Sequence, residues 1–461
     1  MNLNAITLAI TRPGGVRAAR PWDPLYLFLD PSTQGAWYDP SDFTTLFQDA
    51  AGTTPVTAVE QPVGKMLDKS GNGNHAFNNS GNSANFPVLS ARYNLLTKTE
   101  DFSDAVWFKA SSQTPSVAAP TFTTYTGVDP KGNTSTIYRF TFPNVPTSGG
   151  LSILYQITSI AQQASLQYRN LVYIKRVSGG TQIPISVESS TTAPTSGGYS
   201  TSILTVTDSW AQYSATSALS GTPSGNLTTI IGPDGRIASH LNLGAITVDI
   251  WGADLRVAND ALNQPAYQRV NTATDYDTVG FKPYLRFNGT NQWLQTNSID
   301  FRYTDKMFVS AGVRKLSDAA YGTITELSIG NQTGQFAVFA PGSSANYQFF
   351  LCGVSINYAI YEPASTAPIT QIASSSFNFG GTTLSTKVIP RLNGVFAQTN
   401  GSMVGDPTGN FGNYPLYIGA RAGTSLYFNG RLYQMVVAGK QASADEITNT
   451  ETFINQKTGA Y

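Results

Sequence analysis

Charge, cysteine and histidine are all scarce in this sequence of 461 residues. Charged side chains make up 12%, about half the roughly 25% usual in soluble proteins. Lys plus Arg and Asp plus Glu number 28 each, so the formal net charge is zero. No basic stripe gathers the cations. This excludes the electrostatic footprint of a nucleic-acid binder, so no nucleic-acid partner is expected. The single cysteine, Cys352, lies in an apolar run. One thiol excludes a disulfide framework and an internal redox pair, and it suits folding in a reducing compartment such as a bacterial cytoplasm. The two histidines, His75 and His240, have no second His or Cys at zinc-ligand spacing. No apolar run reaches the roughly 18 residues of a membrane-crossing helix, so no membrane insertion is expected.

Catalytic patterns are missing as well. There is no Gly-x-Ser-x-Gly elbow to carry a nucleophile for either histidine. No phosphate-cradling Gly-rich loop opens a helix. Sandwich-fold glycosidases carry carboxylates alternating along one strand, because two acids must flank the scissile bond. Here Asp305, Asp445 and Glu446 are isolated, and a turn and a helix cap explain them. No catalytic residue is assigned, no cofactor is required, and the chain reads as a non-enzyme.

What the sequence does hold is β grammar. Hydrophobic residues make up 41% and aromatics 11%, enough for two or three cores. Polarity comes from Ser, Thr, Asn, Gln and Gly, which suits the outer faces of β-sandwiches. Residues 1–20 are mildly apolar and then basic at Arg12, Arg17 and Arg20, the reverse of a signal peptide. Residues 1–22 are therefore read as an N-terminal arm. Turn signals crowd residues 23–92, with a helical turn at 41–46 and a proline-edged strand at 86–89. Gly71, Asn72, Gly73 and Asn74 make a compact turn with positive φ. Asp68, Asn72 and Asn74 offer oxygens there and are candidate calcium ligands. An Asx turn without an ion is the alternative, and His75 reads as part of that turn.

Short β-type runs follow at 137–142, 151–157, 166–176, 183–187, 202–207, 210–215, 227–231 and 245–251. Spacings near ten residues are the mark of a sandwich or jelly roll. Residues 259–277 read as an exit linker. Beyond them Asn-Gly occurs at Asn288-Gly289, Asn393-Gly394 and Asn429-Gly430, each a hairpin-turn candidate. Met307, Val309, Ala311 and Val313 alternate with Phe308, Ser310 and Arg314. Residues 431–438 read as a strand buried on both faces. One helix is expected, capped by Ser443 with Glu446 three residues on, striped by Ile447, Thr450, Phe453 and Ile454, and stopped at Gly459. Glycan contact needs a ring face with polar groups beside it. Tyr347, Tyr358, Tyr361, Tyr414 and Tyr427 lie in polar, loop-rich stretches and are the candidate glycan-binding residues. Trp107 and Trp293 read as core.

Two sets of residues carry resemblances. Trp37-Tyr38-Asp39-Pro40-Ser41-Asp42, with Asp68 to His75, resembles the opening of laminin-G-like, concanavalin-A-like domains in phage structural proteins. Phe86 to Ala91 ends this half, Pro283 to Asn291 resumes the pattern, and Leu416 to Arg421 with Phe428 to Tyr433 resembles its close. Between them, Tyr93 to Phe102 with Ala105-Val106-Trp107 resembles the entry to carbohydrate-binding-module-like jelly rolls of phage head and tail fibres, and Val248 to Leu255 resembles the last strand of that family. That family usually has Gln where this chain has Asp254.

The resemblance implies an all-β chain: a concanavalin-A-like (laminin-G-like) sandwich of residues 23–92 and 274–461, an inserted jelly-roll sandwich of 93–273, and one short C-terminal helix. It implies a bacteriophage virion structural protein, made in the host cytoplasm and displayed as a head fibre, capsid decoration or tail-fibre component. The arm would dock it to other virion proteins of capsid or tail. A homo-oligomer, such as a trimer, would present weak sites for host-surface glycans, with calcium as an optional ion. The competing expectations are a polysaccharide-degrading tailspike-like enzyme, which lacks its repeats here, and a secreted bacterial lectin or adhesin.

Overall fold

The computed structural model describes residues 21–161, 166–189, 199–219, 225–258, 260, 264–330, 332–342 and 344–461. Most of the expected arm (1–20) and part of the expected linker (259 and 261–263) lie outside the described residues. Among the described residues, regular structure is almost all antiparallel strand, with one α-helix longer than a single turn. The strands make four sheets: one of eight strands, one of ten and two of five.

The eight- and ten-stranded sheets enclose one core. Met307, Val309, Ala311 and Val313 point into it from the strand Lys306–Lys315, and Phe336, Val338, Phe349 and Leu351 meet them from the opposite sheet. The strands of this sandwich come from residues 35–90 and 284–438. The two five-stranded sheets, from residues 108–257, enclose a second core around Phe140, Val172, Ile185 and Val248. Trp107 is buried there, as expected, and Trp293 is buried in a small cluster of its own with Tyr417 and Ala420.

The expected alternation over 307–314 serves two buried faces. Phe308, Val436, Ala438 and Ile454 form a separate cluster on the outer side of the eight-stranded sheet, under the helix Ala444–Thr458. Gly312 lets the helix come this close, since a Cβ there would stand 2.0 Å from Thr458 Oγ1. Ser443 and Glu446 form the expected capping box, and Gly459 ends the helix at φ 61°.

Only one Asn-Gly pair makes a two-residue hairpin. Asn393 (φ 51°) and Gly394 (φ 77°) join Val388–Leu392 to Val395–Phe396. Asn288-Gly289 turns the chain from the eight-stranded sheet into the ten-stranded one. Asn429-Gly430 lies inside the strand Asn429–Ala438, where a Cβ on Gly430 would meet Arg314 O at 2.4 Å. Glycine serves close packing there, not a turn. The region 41–46 holds a single 3₁₀ turn, Phe43–Thr45. Val88–Ser90 is an edge strand preceded by Pro87. The strands Phe108–Ser111 and Thr121–Val128 were not expected; the first is only four residues long, and the second is largely exposed.

Two buried amides stitch the place where the chain passes between the sandwiches. Gln268 accepts from the backbone N–H of Tyr93 (2.7 Å) and Asn94 (3.0 Å) and donates to the carbonyls of Ala91 and Asp277 (both 2.8 Å). Asn94 donates to the carbonyls of Ala253 (2.9 Å) and Gln268 (2.8 Å) and accepts from the N–H of Leu96 (3.1 Å) and Leu255 (3.0 Å). Each side chain has four partners, the full capacity of an amide. Replacing Gln268 with Leu keeps the volume but strands these backbone groups. We expect Gln268→Leu to lose about 3 kcal/mol of stability, read as a lowered urea midpoint. An unchanged midpoint would show that the junction bears no load.

Candidate functional site

The five candidate tyrosines do not assemble. Tyr347 and Tyr361 are buried in the large core and offer no ring face, which corrects their assignment as glycan contacts. Tyr361 lies on the inward phase of Tyr358–Tyr361, opposite Phe349, and a polar neighbourhood in sequence does not reveal that phase. Tyr358 is half-buried on the outer side against Phe350, with ring centroids 5.7 Å apart. Tyr414 packs on the core edge and donates to Thr333 O (3.2 Å). Tyr427 lies beside Trp293 and donates to Gly423 O (3.2 Å).

The calcium assignment is corrected too. Asp68 Oδ1 accepts from the N–H of Trp37 (2.9 Å) and Ser70 (2.8 Å), and Oδ2 accepts from Ser70 Oγ (2.7 Å) and the N–H of Asn74 (3.0 Å). Both oxygens are filled by donors. Asn72 and Asn74 turn their amide nitrogens to Gly35 O at 3.2 and 2.8 Å. These residues build the Asx-type turn. His75 Nδ1 closes it by accepting from Asp68 N–H (3.0 Å). Among the described residues, no three His, Cys, Asp or Glu side chains gather as a metal site.

The built site lies elsewhere, on the outer face of the jelly-roll sheet that contains Ile246–Val257. Val248 and Ile250 point inward, so Asp249 and Trp251 point outward. Asp249 is buried by its partners: Arg139 Nε (2.8 Å), Tyr125 Oη (2.7 Å) and Lys175 Nζ (3.5 Å). Trp251 joins Ile137, Leu171 and Tyr267 in an apolar cluster on what would ordinarily be a solvated face. Tyr173, Trp251 and Tyr267 form a three-ring group with centroids 5.2 to 5.9 Å apart. Lys131 Nζ lies 4.7 Å from the Tyr267 ring centre and 5.6 Å from that of Trp251, and pairs with Asp277 at 3.6 Å.

Two cavities share these rings. One, of about 400 Å³, is lined by Lys98–Asp101, Ser135, Thr136, Tyr138, Trp251 and the segment 269–271. The other, of about 460 Å³, is lined by Lys131, Tyr173, Tyr267, Asp277 and Phe281, among others. In the first, Trp251 Nε1 and Ser135 Oγ are buried and lack hydrogen-bond partners among the described residues. Buried polar atoms are ordinarily satisfied, so two unsatisfied ones on residues of one cavity wall mark that wall as unusual. Burial pushes the Glu100 carboxyl upward, against the hydrogen bond from Tyr267 Oη at 3.0 Å and the charge of Lys131. Its neighbour Asp101 is held below the usual range, first by the Ser103 hydroxyl and also by Tyr138. The residues that line the cavity thus carry an indole, hydroxyls, cations at Lys98 and Arg269, and carboxyl groups. This is the equipment for reading sugar hydroxyls. Sequence reasoning missed it because four separate segments supply it. The one available signal was Trp251 at an outward phase of its strand.

A second titrating cluster lies on the other five-stranded sheet. His240 Nδ1 accepts from Asp234 N–H (3.2 Å), so its proton is on Nε2, donated to Thr201 Oγ1 (2.8 Å). Burial lowers His240 to about 4. Burial raises Glu188, 3.5 Å from Arg236, to about 7. The signs oppose. His240 binds fewer protons folded than unfolded, so its contribution is lost as pH falls from about 6.5 to about 4. Glu188 binds more protons folded, so its contribution is lost as pH rises from about 4.5 to about 7. Relative to the parent, Glu188→Gln should lose melting temperature more steeply between pH 7 and pH 4.5, and His240→Gln less steeply. Parallel profiles for all three chains would contradict this.

No protein-family model and no curated protein matches the chain. Among solved structures it is similar to the binding domain of Paraclostridial mosquitocidal protein 1, at 14% identity over 38% of this chain and 43% of that one, TM-score 0.28. It is similar to the receptor-binding domain of botulinum neurotoxin type G, at 13% identity over 37% and 42%, TM-score 0.28. It is also similar to domain 4 of the extracellular arabinanase AbnA from Geobacillus stearothermophilus, solved with arabinotriose, at 15% identity over 37% and 76%, TM-score 0.28. The chain spans less than half the length of the two toxin domains. None of the three carries a residue role or a ligand over to this chain.

Proposed function

We propose that this chain is a non-enzymatic, surface-displayed structural protein of a bacteriophage particle, and that its jelly roll binds a glycan. The head-fibre, capsid-decoration or tail-fibre role rests on the strand and turn motifs that frame the two sandwiches. The glycan reading rests on one observation: the cavity beside Trp251 is lined by two residues with buried, unpartnered polar atoms, together with Glu100 and Arg269. A cavity of about 400 Å³ suits a sugar residue. Its neighbour across Tyr267 and Lys131 suits a second residue of the same chain. A site so polar and open binds weakly alone. A symmetric homo-oligomer, such as a trimer, would raise its avidity without new contacts.

Titration of the full chain with a panel of neutral and acidic oligosaccharides tests this. Trp251→Phe keeps the ring and deletes the Nε1 donor, and Glu100→Gln deletes the charge. We expect each to weaken binding about tenfold, the effect of one lost hydrogen bond to a buried partner. Binding by no oligosaccharide, or binding indifferent to both changes, would contradict the proposal.

One observation favours a second reading, a polysaccharide-degrading enzyme. Glu100 and Asp101 line one cavity, with carboxyls shifted in opposite directions, as an acid and its partner require. Against this, Asp101 is occupied by Ser103 and Tyr138. Release of reducing ends that Glu100→Gln abolishes would establish the enzyme.

A further inference from the structure

A third cavity, of about 320 Å³, lies between the two sandwiches and is the most apolar of those described above. Ile160 forms part of its wall on the jelly-roll side, and Leu316 and Pro368 on the other. Its charged lining is Asp260, Arg314 and Arg431, all three buried. One carboxylate therefore faces two guanidinium groups. Arg431 takes the larger share: its Nη1 reaches both Asp260 oxygens, at 3.1 and 3.0 Å, and its plane lies over the rings of Tyr93 and Tyr284, 5.4 and 4.5 Å from their centres. Arg314 is left with less. Its Nη1 donates to Thr370 Oγ1 at 2.7 Å and stands 3.3 Å from Asp260. Its Nε is buried and has no partner among the described residues, although only 1% of the residue is exposed.

A buried cation without full compensation is costly, and proteins ordinarily pair it. The bonds that Arg314 makes run through Nη1, which leaves the Nε side of the guanidinium for an acceptor. A carboxylate fits that edge with two oxygens. We propose that this cleft binds a small molecule that carries a carboxylate on an apolar-faced body, with the carboxylate on Arg314 and the body against Ile160, Leu316 and Pro368. An acidic sugar and a medium-length fatty acid share this chemistry. The site is separate from the Trp251 cavity, and the proposal stands whether or not that cavity binds glycan.

Calorimetric titration of the full chain tests it, with glucuronate and octanoate as probes and each set beside its neutral amide. We expect at least one acid to saturate a single site per chain, and its amide to bind at least about tenfold more weakly. Binding by glucuronate assigns the cleft to acidic glycans, and binding by octanoate assigns it to acyl chains. Ile160 is exposed at the rim, so Ile160→Trp closes the mouth without touching the buried charges. Both Ile160→Trp and Arg314→Lys should lose at least about tenfold in affinity. Equal binding of acid and amide, no binding of either acid up to about 20 mM, or unchanged binding to the Ile160→Trp chain would overturn the proposal.

Discussion

Everything else in the molecule depends on how the chain crosses between its two sandwiches. A strand pair satisfies its backbone through a ladder, but a crossing has no ladder, and a buried crossing would strand its N–H and carbonyl groups. Gln268 and Asn94 replace the ladder with two side-chain amides, each holding backbone groups of other segments. Tyr93, Phe281, Tyr284 and Tyr433 pack around the same crossing. The Trp251 cavity takes its walls from both ends of this junction, 98–101 and 269–271. The cleft at Arg314 lies between the two bodies that the junction joins. Both candidate sites are therefore consequences of one packing arrangement.

The outer face of the eight-stranded sheet shows the same economy of surface. One part is covered by the capped helix, which Gly312 admits. Elsewhere on the sheet, Arg431 lies under the rings of Tyr93 and Tyr284, while Asp260 supplies the countercharge. Few residues of the chain are charged, and at Arg314 the partners Thr370 and Asp260 leave Nε unmatched.

Much of the architecture was legible in the sequence, because its signals were local. Ser443, Glu446 and Gly459 state where the helix begins and ends within a single stretch of chain. Most strands of the two five-stranded sheets announced themselves by apolar runs between turn residues. The Asn-Gly pairs were a weaker guide, since glycine answers both to positive φ and to close packing. Asn393-Gly394 obeys the first rule and Asn429-Gly430 the second. The candidate sites were hardly legible at all. Tyrosines were chosen by the polarity of their neighbours in sequence, yet strand phase turned Tyr361 inward and Tyr347 is likewise buried. Asp68 offered oxygens that backbone donors already fill. The residues that do converge, Glu100, Ser135, Trp251 and Arg269, come from segments that only the sheet order brings together.

The central claim is that these sandwiches are displayed on a phage particle with the Trp251 face toward the surroundings. Electron cryomicroscopy of phage particles purified from cells that produce the chain addresses it directly. The account predicts density for both sandwiches at the particle surface, in symmetric copies, with the Ile246–Val257 sheet facing solvent. Absence of the chain from purified particles, or density that buries that sheet against the shell, would contradict it.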